Sequence, residues 1–359
     1  MPTIHDPEIR GFASDNYSGI HPEVLAAIGE ANGGHQPAYG ADDYTARLQN
    51  VFAEHFGAGV SVWPVFNGTG ANVLGMLAML PRWGAVICAD TAHIHADEGG
   101  APEKSAGIKL LPVATPDGKL TPELIAQEAW GWGDEHRAQP LVIYITQSTE
   151  LGTVYTPEEV RAITDYAHER GMRVFMDGAR LANAAASLDL PLRAFTTDAG
   201  VDALAFGGTK NGAMGAEAVV VLNEEAADGL VFLRKHQMQL ASKMRFVSAQ
   251  LLALLEGDLF LRNARHANTM ARRLRSGIEN GIASGSLSGV VFTQQTQSNA
   301  VFATLPAGVA DRLRERFRFY DWDAAQGEVR WVCSFDTAES DVDAFLAALE
   351  EELAPARSV

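Results

Sequence analysis

Between residues 59 and 223 the chain alternates short apolar runs with stretches whose apolar positions recur at helical spacing. The runs cover 60–66, 85–89, 108–113, 141–146, 173–176, 203–206 and 218–222, and they are rich in β-branched residues. Such continuous apolar runs predict strands buried on both faces of a parallel sheet. Helix starts lie between them. Thr121-Pro122-Glu123 places an N-cap threonine before a first-turn proline. Thr156-Pro157-Glu158-Glu159 is a capping box, and Gly171 closes the helix that follows. Repeated strand–helix alternation predicts an α/β fold with a mainly parallel, seven-stranded sheet, and ligands of such sheets bind beyond the carboxyl ends of the strands. From 229 to 285 the pattern is helical, over 229–255 and 261–280. Strand-like runs at 289–293, 300–304 and 328–334 then mix with helices at 308–317 and 340–353. The expected organisation is therefore an N-terminal arm and large α/β domain over 1–250 and a smaller α+β domain over 251–359.

Length and charge narrow the function. A chain of 359 residues can bury a large core. The formal net charge of −17 disfavours nucleic acid and anionic membrane as partners, because both demand a basic footprint. The only cysteines, Cys88 and Cys333, sit in apolar runs, which fits packing in a reducing cytosol better than a disulfide framework. Met1-Pro2-Thr3-Ile4-His5-Asp6 lacks the charged-then-apolar pattern of a secretory signal, and no apolar run is long enough to span a bilayer. The expected location is cytoplasmic.

Two segments carry the chemistry. Val174-Phe175-Met176-Asp177-Gly178-Ala179-Arg180 delivers a carboxylate at a strand end, and Ala205-Phe206-Gly207-Gly208-Thr209-Lys210-Asn211-Gly212 delivers a lysine. An enzyme using pyridoxal 5′-phosphate needs such a pair. The amine holds the cofactor aldehyde as a Schiff base, and the carboxylate keeps the pyridine nitrogen protonated so that the ring accepts electrons.

Four further elements surround the pair. Asn67-Gly68-Thr69-Gly70-Ala71-Asn72 lies between a strand and an apolar helix at 73–80, where glycines and a helix N-terminus can meet an anion. It is not a dinucleotide fingerprint, since position 73 is valine. Ala92-His93-Ile94-His95-Ala96-Asp97-Glu98 offers a histidine that can stack on a flat ring and exchange protons near neutral pH. No further ligand cluster accompanies His93 and His95, so no metal site is expected. Arg330, inside the apolar run Val329-Arg330-Trp331-Val332, needs an anionic partner, either a substrate carboxylate or a structural acid. Ser14-Asp15-Asn16-Tyr17 and Tyr39-Gly40-Ala41-Asp42-Asp43-Tyr44 read only as turns and caps.

Together these residues resemble the low-specificity L-threonine aldolase family, within the aspartate-aminotransferase-like fold type I of pyridoxal-phosphate enzymes. The resemblance runs from Phe12-Ala13-Ser14-Asp15 to Arg330–Thr337 and is most specific at Asp177–Ala184 and Gly207–Gly212. It implies Lys210 as the Schiff-base lysine, Asp177 as the pyridinium partner and His93 as the stacking histidine, with Glu98 behind it. It further implies Gly68, Thr69 and Gly70 as the phosphate loop, Arg180 as the arginine near the cofactor hydroxyl, and Ser14, Arg180 and Arg330 as binders of the substrate carboxylate. The implied activity is retro-aldol cleavage of L-threonine, L-allo-threonine or related β-hydroxy-α-amino acids to glycine and an aldehyde. A phenylserine-type aldolase and a β-eliminating lyase share the fold and stay open. The family implies a homotetramer, a dimer of dimers with active sites between subunits. Two departures stand out. Glu150, in Gln147-Ser148-Thr149-Glu150, falls where several members carry a histidine that reads the substrate hydroxyl, which makes it the position for substrate specificity. Leu240-Ala241-Ser242-Lys243-Met244-Arg245 replaces a Gly-rich turn before a Met-Arg pair, and a role for Arg245 stays open.

Overall fold

The seven apolar runs form one sheet in the computed structural model, which describes residues 4–354. Met1–Thr3, part of the segment examined for a targeting signal, and the chain past 354 lie outside the described residues. The strands are β1 (Ser61–Val65), β2 (Gly84–Ala89), β3 (Lys109–Val113), β4 (Gln139–Thr146), β5 (Arg173–Gly178), β6 (Ala203–Gly207) and β7 (Glu217–Val221). Their order is β1-β7-β6-β5-β4-β2-β3. The β2–β3, β2–β4, β4–β5 and β5–β6 ladders are parallel, and β7 runs antiparallel to both neighbours. The β6–β7 connection is too short for a crossover helix, so the chain must turn back on itself. That short turn carries Lys210.

Alternate side chains along each strand enter different cores. Ile143, Ile145, Val174 and Met176 join one cluster, and Val142, Tyr144 and Phe175 join the other. Both faces are covered, which is why the runs read as uninterrupted apolar sequence.

Helix positions depart from the sequence reading in several places. The helix expected at 73 begins at Gly68, because the Asn67 side chain accepts from the Gly70 N–H at 2.7 Å and caps it. Two helices unrecognised in the sequence, Pro22–Ala31 and Asp43–Phe56, pack early residues against the sheet; Asp42 caps the second through the Thr45 N–H at 2.9 Å, and Leu48, Phe52 and Phe56 are buried. The helix expected over 229–255 is two helices, Leu230–His236 and Arg245–Leu255, with Met238 at a φ of 60° between them. A non-glycine residue in that left-handed region ends a helix.

A second sheet holds β8 (Val291–Phe292), β9 (Ala300–Thr304), β10 (Tyr320–Asp323) and β11 (Glu328–Val332), antiparallel in the order β10-β11-β9-β8. Strand β10 escapes sequence reading because it is a largely polar, exposed edge. Its core is aromatic: Phe319, Trp331 and Phe345 pack together, and Phe12 joins from the other end of the chain, 4.9 Å from Phe345 between ring centroids. Phe12 donates to Arg318 and accepts from Val332, each at 2.8 Å, so the N-terminal arm is docked on this layer. The long helix Leu259–Ser284 places Leu259, Phe260 and Ala264 in the core beneath the large sheet, and Met270, Leu274 and Ile278 in the aromatic core.

One glycine fixes how closely the site strands approach. A Cβ at Gly207 would lie 2.6 Å from the Ala179 Cα and carbonyl oxygen, both backbone atoms that cannot move aside. Gly207→Ala is therefore expected to lower stability by about 1–3 kcal/mol in denaturant titration, and to displace the segments carrying Asp177 and Lys210. Among the described residues no helix is long and apolar enough to cross a membrane.

Candidate active site

The carboxyl ends of β4, β5 and β6 meet the N-terminus of the Gly68–Met79 helix in one cleft. Gly68, Thr69, Asn72, His93, Glu98, Ser148, Glu150, Asp177, Arg180 and Lys210 line it. The parallel register sets Thr146 of β4 beside Asp177 of β5, and β6 leads into the Thr209–Asn211 turn with Lys210 at its centre.

Asp177 is buried and tightly held. Its Oδ2 accepts from the Tyr144 hydroxyl at 2.5 Å and from the Asn72 amide at 2.9 Å, and its Oδ1 accepts from the Ala179 N–H at 2.8 Å. The same Asn72 nitrogen donates to Glu98 at 2.9 Å, and Glu98 pairs with His93 Nδ1 at 3.0 Å. A continuous chain of hydrogen bonds thus joins His93 to Asp177. The Glu98 hydrogen bond raises the His93 pKa above its ordinary value, outweighing burial. Lys210 goes the other way: burial, then the neighbouring Arg180 charge, lowers its pKa, so its amine loses its proton more readily than an exposed lysine. Glu217, buried beside it, has its pKa raised to about 7 by burial.

Glu150 is half-buried in the same cleft. Its Oε1 accepts from the His93 backbone N–H and the Thr146 hydroxyl, both at 2.9 Å. Burial, then the Asp177 charge, raises its pKa. Four polar atoms of cleft residues, Asn72 Oδ1, Glu98 Oε2, Ser148 Oγ and Glu150 Oε2, are buried without hydrogen-bond partners. Buried polar atoms are normally paired, so the cleft is built for a polar guest.

Three expected residues sit differently. Gly70 lies outside the lining; its N–H is spent on the Asn67 cap, and Gln239 covers its Cα so closely that a Cβ would lie 2.3 Å from the Gln239 Cδ. Ser14 caps the Asp15–Tyr17 turn by accepting from the Asn16 N–H at 3.1 Å, and it lines a neighbouring concavity with Arg10, Arg318 and Ser334. Arg330 lies on β11, its guanidinium 5.1 Å from the Trp322 ring centroid and its buried Nε unpaired. Burial, then the nearby Arg180, lowers its pKa to about 10. Arg180 itself is bound. Its Nε and Nη2 donate to the two carboxylate oxygens of Asp15 at 2.7 and 2.9 Å.

Sequence reading missed Asn72, Tyr144, Glu217 and Asp15 as members of this network. Helical spacing was the available signal for Asn72, which shares a face with Gly68 and Thr69. Strand alternation was the signal for Tyr144, which shares a face with Thr146.

The beta-eliminating lyase family profile matches residues 11–305. The chain belongs to this family. It is 44% identical to the low specificity L-threonine aldolase of Pseudomonas aeruginosa over 328 residues, 91% of this chain and 93% of that one. A Pseudomonas sp. protein of the same name is 43% identical over 333 residues, 92% of this chain and 94% of its own. The solved Leishmania major threonine aldolase superposes with a TM-score of 0.89 at 30% identity, covering 96% of this chain and 99% of that one. Membership makes the mainly parallel sheet and its cleft a lyase scaffold.

Proposed function

We propose that this chain is a pyridoxal 5′-phosphate-dependent lyase that cleaves L-threonine, L-allo-threonine or a related β-hydroxy-α-amino acid to glycine and an aldehyde. The observation that carries it is the convergence of a half-buried lysine, a buried carboxylate and a histidine on one cleft of a family lyase. The donor set fits the cofactor: a lysine with a lowered pKa, a carboxylate with a free acceptor position, and unpaired buried polar atoms around them.

When bound, the cofactor supplies an electron sink for the pair released as the substrate Cα–Cβ bond breaks. Lys210 would hold it covalently, Asp177 would pair with its ring nitrogen, and Gly68 and Thr69 would meet its phosphate. Arg330 would receive the substrate carboxylate, with Arg180 and Ser14 beside it. His93 has Nδ1 engaged by Glu98, which leaves Nε2 to take the proton of the β-hydroxyl. Product analysis tests the reading. Glycine with an aldehyde is the expected outcome, and a keto acid with ammonia would make the chain a β-eliminating lyase instead.

Glu150 is the residue for side-chain preference. Its Oε2 is free to meet a substrate hydroxyl. Glu150→Gln keeps the shape and removes the charge. It is expected to change the ratio of kcat/KM for threonine over allo-threonine by about fivefold or more. Equal changes for both substrates, or for phenylserine as well, would take Glu150 out of this role.

The reading extends to assembly as a homotetramer, a dimer of dimers. Its support is a grouping of exposed apolar side chains. Tyr39, Phe66 and Met238 surround the turn between the Leu230–His236 and Arg245–Leu255 helices, where the Nε atoms of Arg234 and Arg245 are buried and unpaired. It also carries a cytoplasmic setting, supported by two buried free thiols, and a division into 1–250 and 251–359, supported by the separate aromatic core.

A further inference from the structure

Glu217 is a buried carboxylate outside the cleft lining. It opens β7 at 6% exposure, opposite Gly207 of β6 in the antiparallel register. Strand alternation sets it on the sheet face of Val219, and Asp177 on that of Phe175. Both faces belong to the core under the Gly68–Met79 helix, so the two carboxylates share one side of the sheet. The Glu217 Oε1 accepts from the N–H of Thr209, the residue before Lys210, at 3.2 Å, and the Thr209 hydroxyl accepts from the Ala216 N–H at 3.3 Å. Glu217 and Thr209 thus lace together the strands that lead into and out of the Lys210 turn. No ion pair reaches Glu217 among the described residues, and burial raises its pKa to about 7. A buried carboxylate without a directly paired cation is costly.

Its charged neighbours account for it. Lys210 lowers the Glu217 pKa and Glu217 raises that of Lys210, while burial pushes each toward its neutral form. The other charged or titratable groups around Lys210 are Arg180, His93, Asp15 and Asp177, and the other around Glu217 is Asp177. The remaining elements against the turn present uncharged groups. Gly68–Met79 holds no ionisable residue, and Arg245–Leu255 meets the turn through Gln250, Leu251 and Leu254. The long helix Leu259–Ser284 meets it through the Phe260 carbonyl and the Asn263 amide, and His21 through its backbone N–H and Cβ.

We propose that Glu217 is a positioning residue that anchors the Lys210 turn and keeps charge balance with its amine. The inference rests on the reading of Lys210 as the reactive amine. A proton moved from the Lys210 Nζ to a Glu217 oxygen turns ammonium and carboxylate into amine and acid, and the two charges sum to zero either way. The amine can then stand neutral, as a nucleophile must, without leaving a buried charge unanswered. Asp177 cannot share this task, since three donors already occupy it.

The test labels the cofactor-free protein with formaldehyde and cyanoborohydride, which modify neutral amines. Labelling of Lys210 is followed by peptide mass from about pH 5 to about pH 10, with exposed Lys109 in the same sample as the reference. Glu217→Gln removes the charge and keeps an oxygen for the Thr209 N–H. The midpoint of Lys210 labelling is expected to move to lower pH by about half a unit or more, a change of about threefold or more in proton affinity, while the Lys109 midpoint stays in place. Glu217→Asp restores a carboxylate and is expected to fall short of that shift. A role confined to holding the turn would lower the melting temperature and leave the Lys210 midpoint where it was. If Glu217→Gln does not fold, Glu217→Met removes the same charge with an apolar chain of similar length, and the same midpoint is read. An unmoved midpoint, a shift to higher pH, or an equal shift in Glu217→Asp would overturn the proposal. The labelling needs neither cofactor nor turnover. Failure to produce glycine from β-hydroxy amino acids would therefore sink the proposed function without touching this result.

Discussion

Lys210→Ala is expected to abolish turnover, with a loss of at least about 10⁴-fold in kcat, while the protein stays folded. Lys210 is half-buried in the cleft; desolvation and then the Arg180 charge lower its pKa, and the charges of Asp15, Asp177 and Glu217 oppose that shift. A lysine whose folded pKa is lowered disfavours the folded state at pH values where the unfolded chain carries the proton. Deleting it removes that burden, and Glu217, whose pKa stands at about 7, can take up a proton in compensation. The melting temperature of the cofactor-free variant at neutral pH is therefore expected to match or exceed that of the parent. The covalent link between cofactor and chain that borohydride makes permanent is expected to vanish with the amine. Turnover near the parent level would remove Lys210 from the reaction.

The second large effect falls on Asp177. Asp177→Asn preserves shape but places an amide where the Tyr144 hydroxyl, the Asn72 amide and the Ala179 N–H all donate. Its nitrogen cannot accept, so at least one buried donor is left unpaired, at about 1–3 kcal/mol. The charge opposite the cofactor ring disappears as well. The expected result is a fall in kcat of about 10³-fold or more, with weaker cofactor retention on dialysis. Tyr144→Phe separates the contributions, since it removes one donor and spares the charge. Unchanged kinetics in Asp177→Asn would exclude it as the partner of the ring nitrogen.

The pair that carries these predictions was legible in the sequence because it sits in strand ends. An apolar run announces where a parallel strand is, and the first polar residues after it are where such sheets bind ligands. Asp177 and Lys210 follow β-strand runs, as do His93 and Glu150 after β2 and β4. The residues that escaped hold their places by long-range contact. Asp15 reads as part of a turn until the arm is docked against Arg318 and Val332. Tyr144 reads as core: strand alternation puts it on the face of Thr146, but the pairing of its phenol with Asp177 is made across the β4–β5 ladder. The break in the 229–255 helix also stems from tertiary demand. Gln239 is needed over Gly70, where its Oε1 accepts from the Phe66 N–H at 3.1 Å, and helical periodicity carries no trace of that.

The aldolase-like chemistry also depends on a long helix that lines no part of the cleft. Leu259–Ser284 lends its first turns to the core under the large sheet and its middle turns to the aromatic core. Neither layer can open alone without pulling on a rod that the other grips. Amide exchange along this helix therefore reports global unfolding from both ends at once, and the two layers share one cooperative unit rather than behaving as separate foldons. The placement of Arg330 on one sheet relative to Lys210 on the other is thereby held by this helix together with the docked arm.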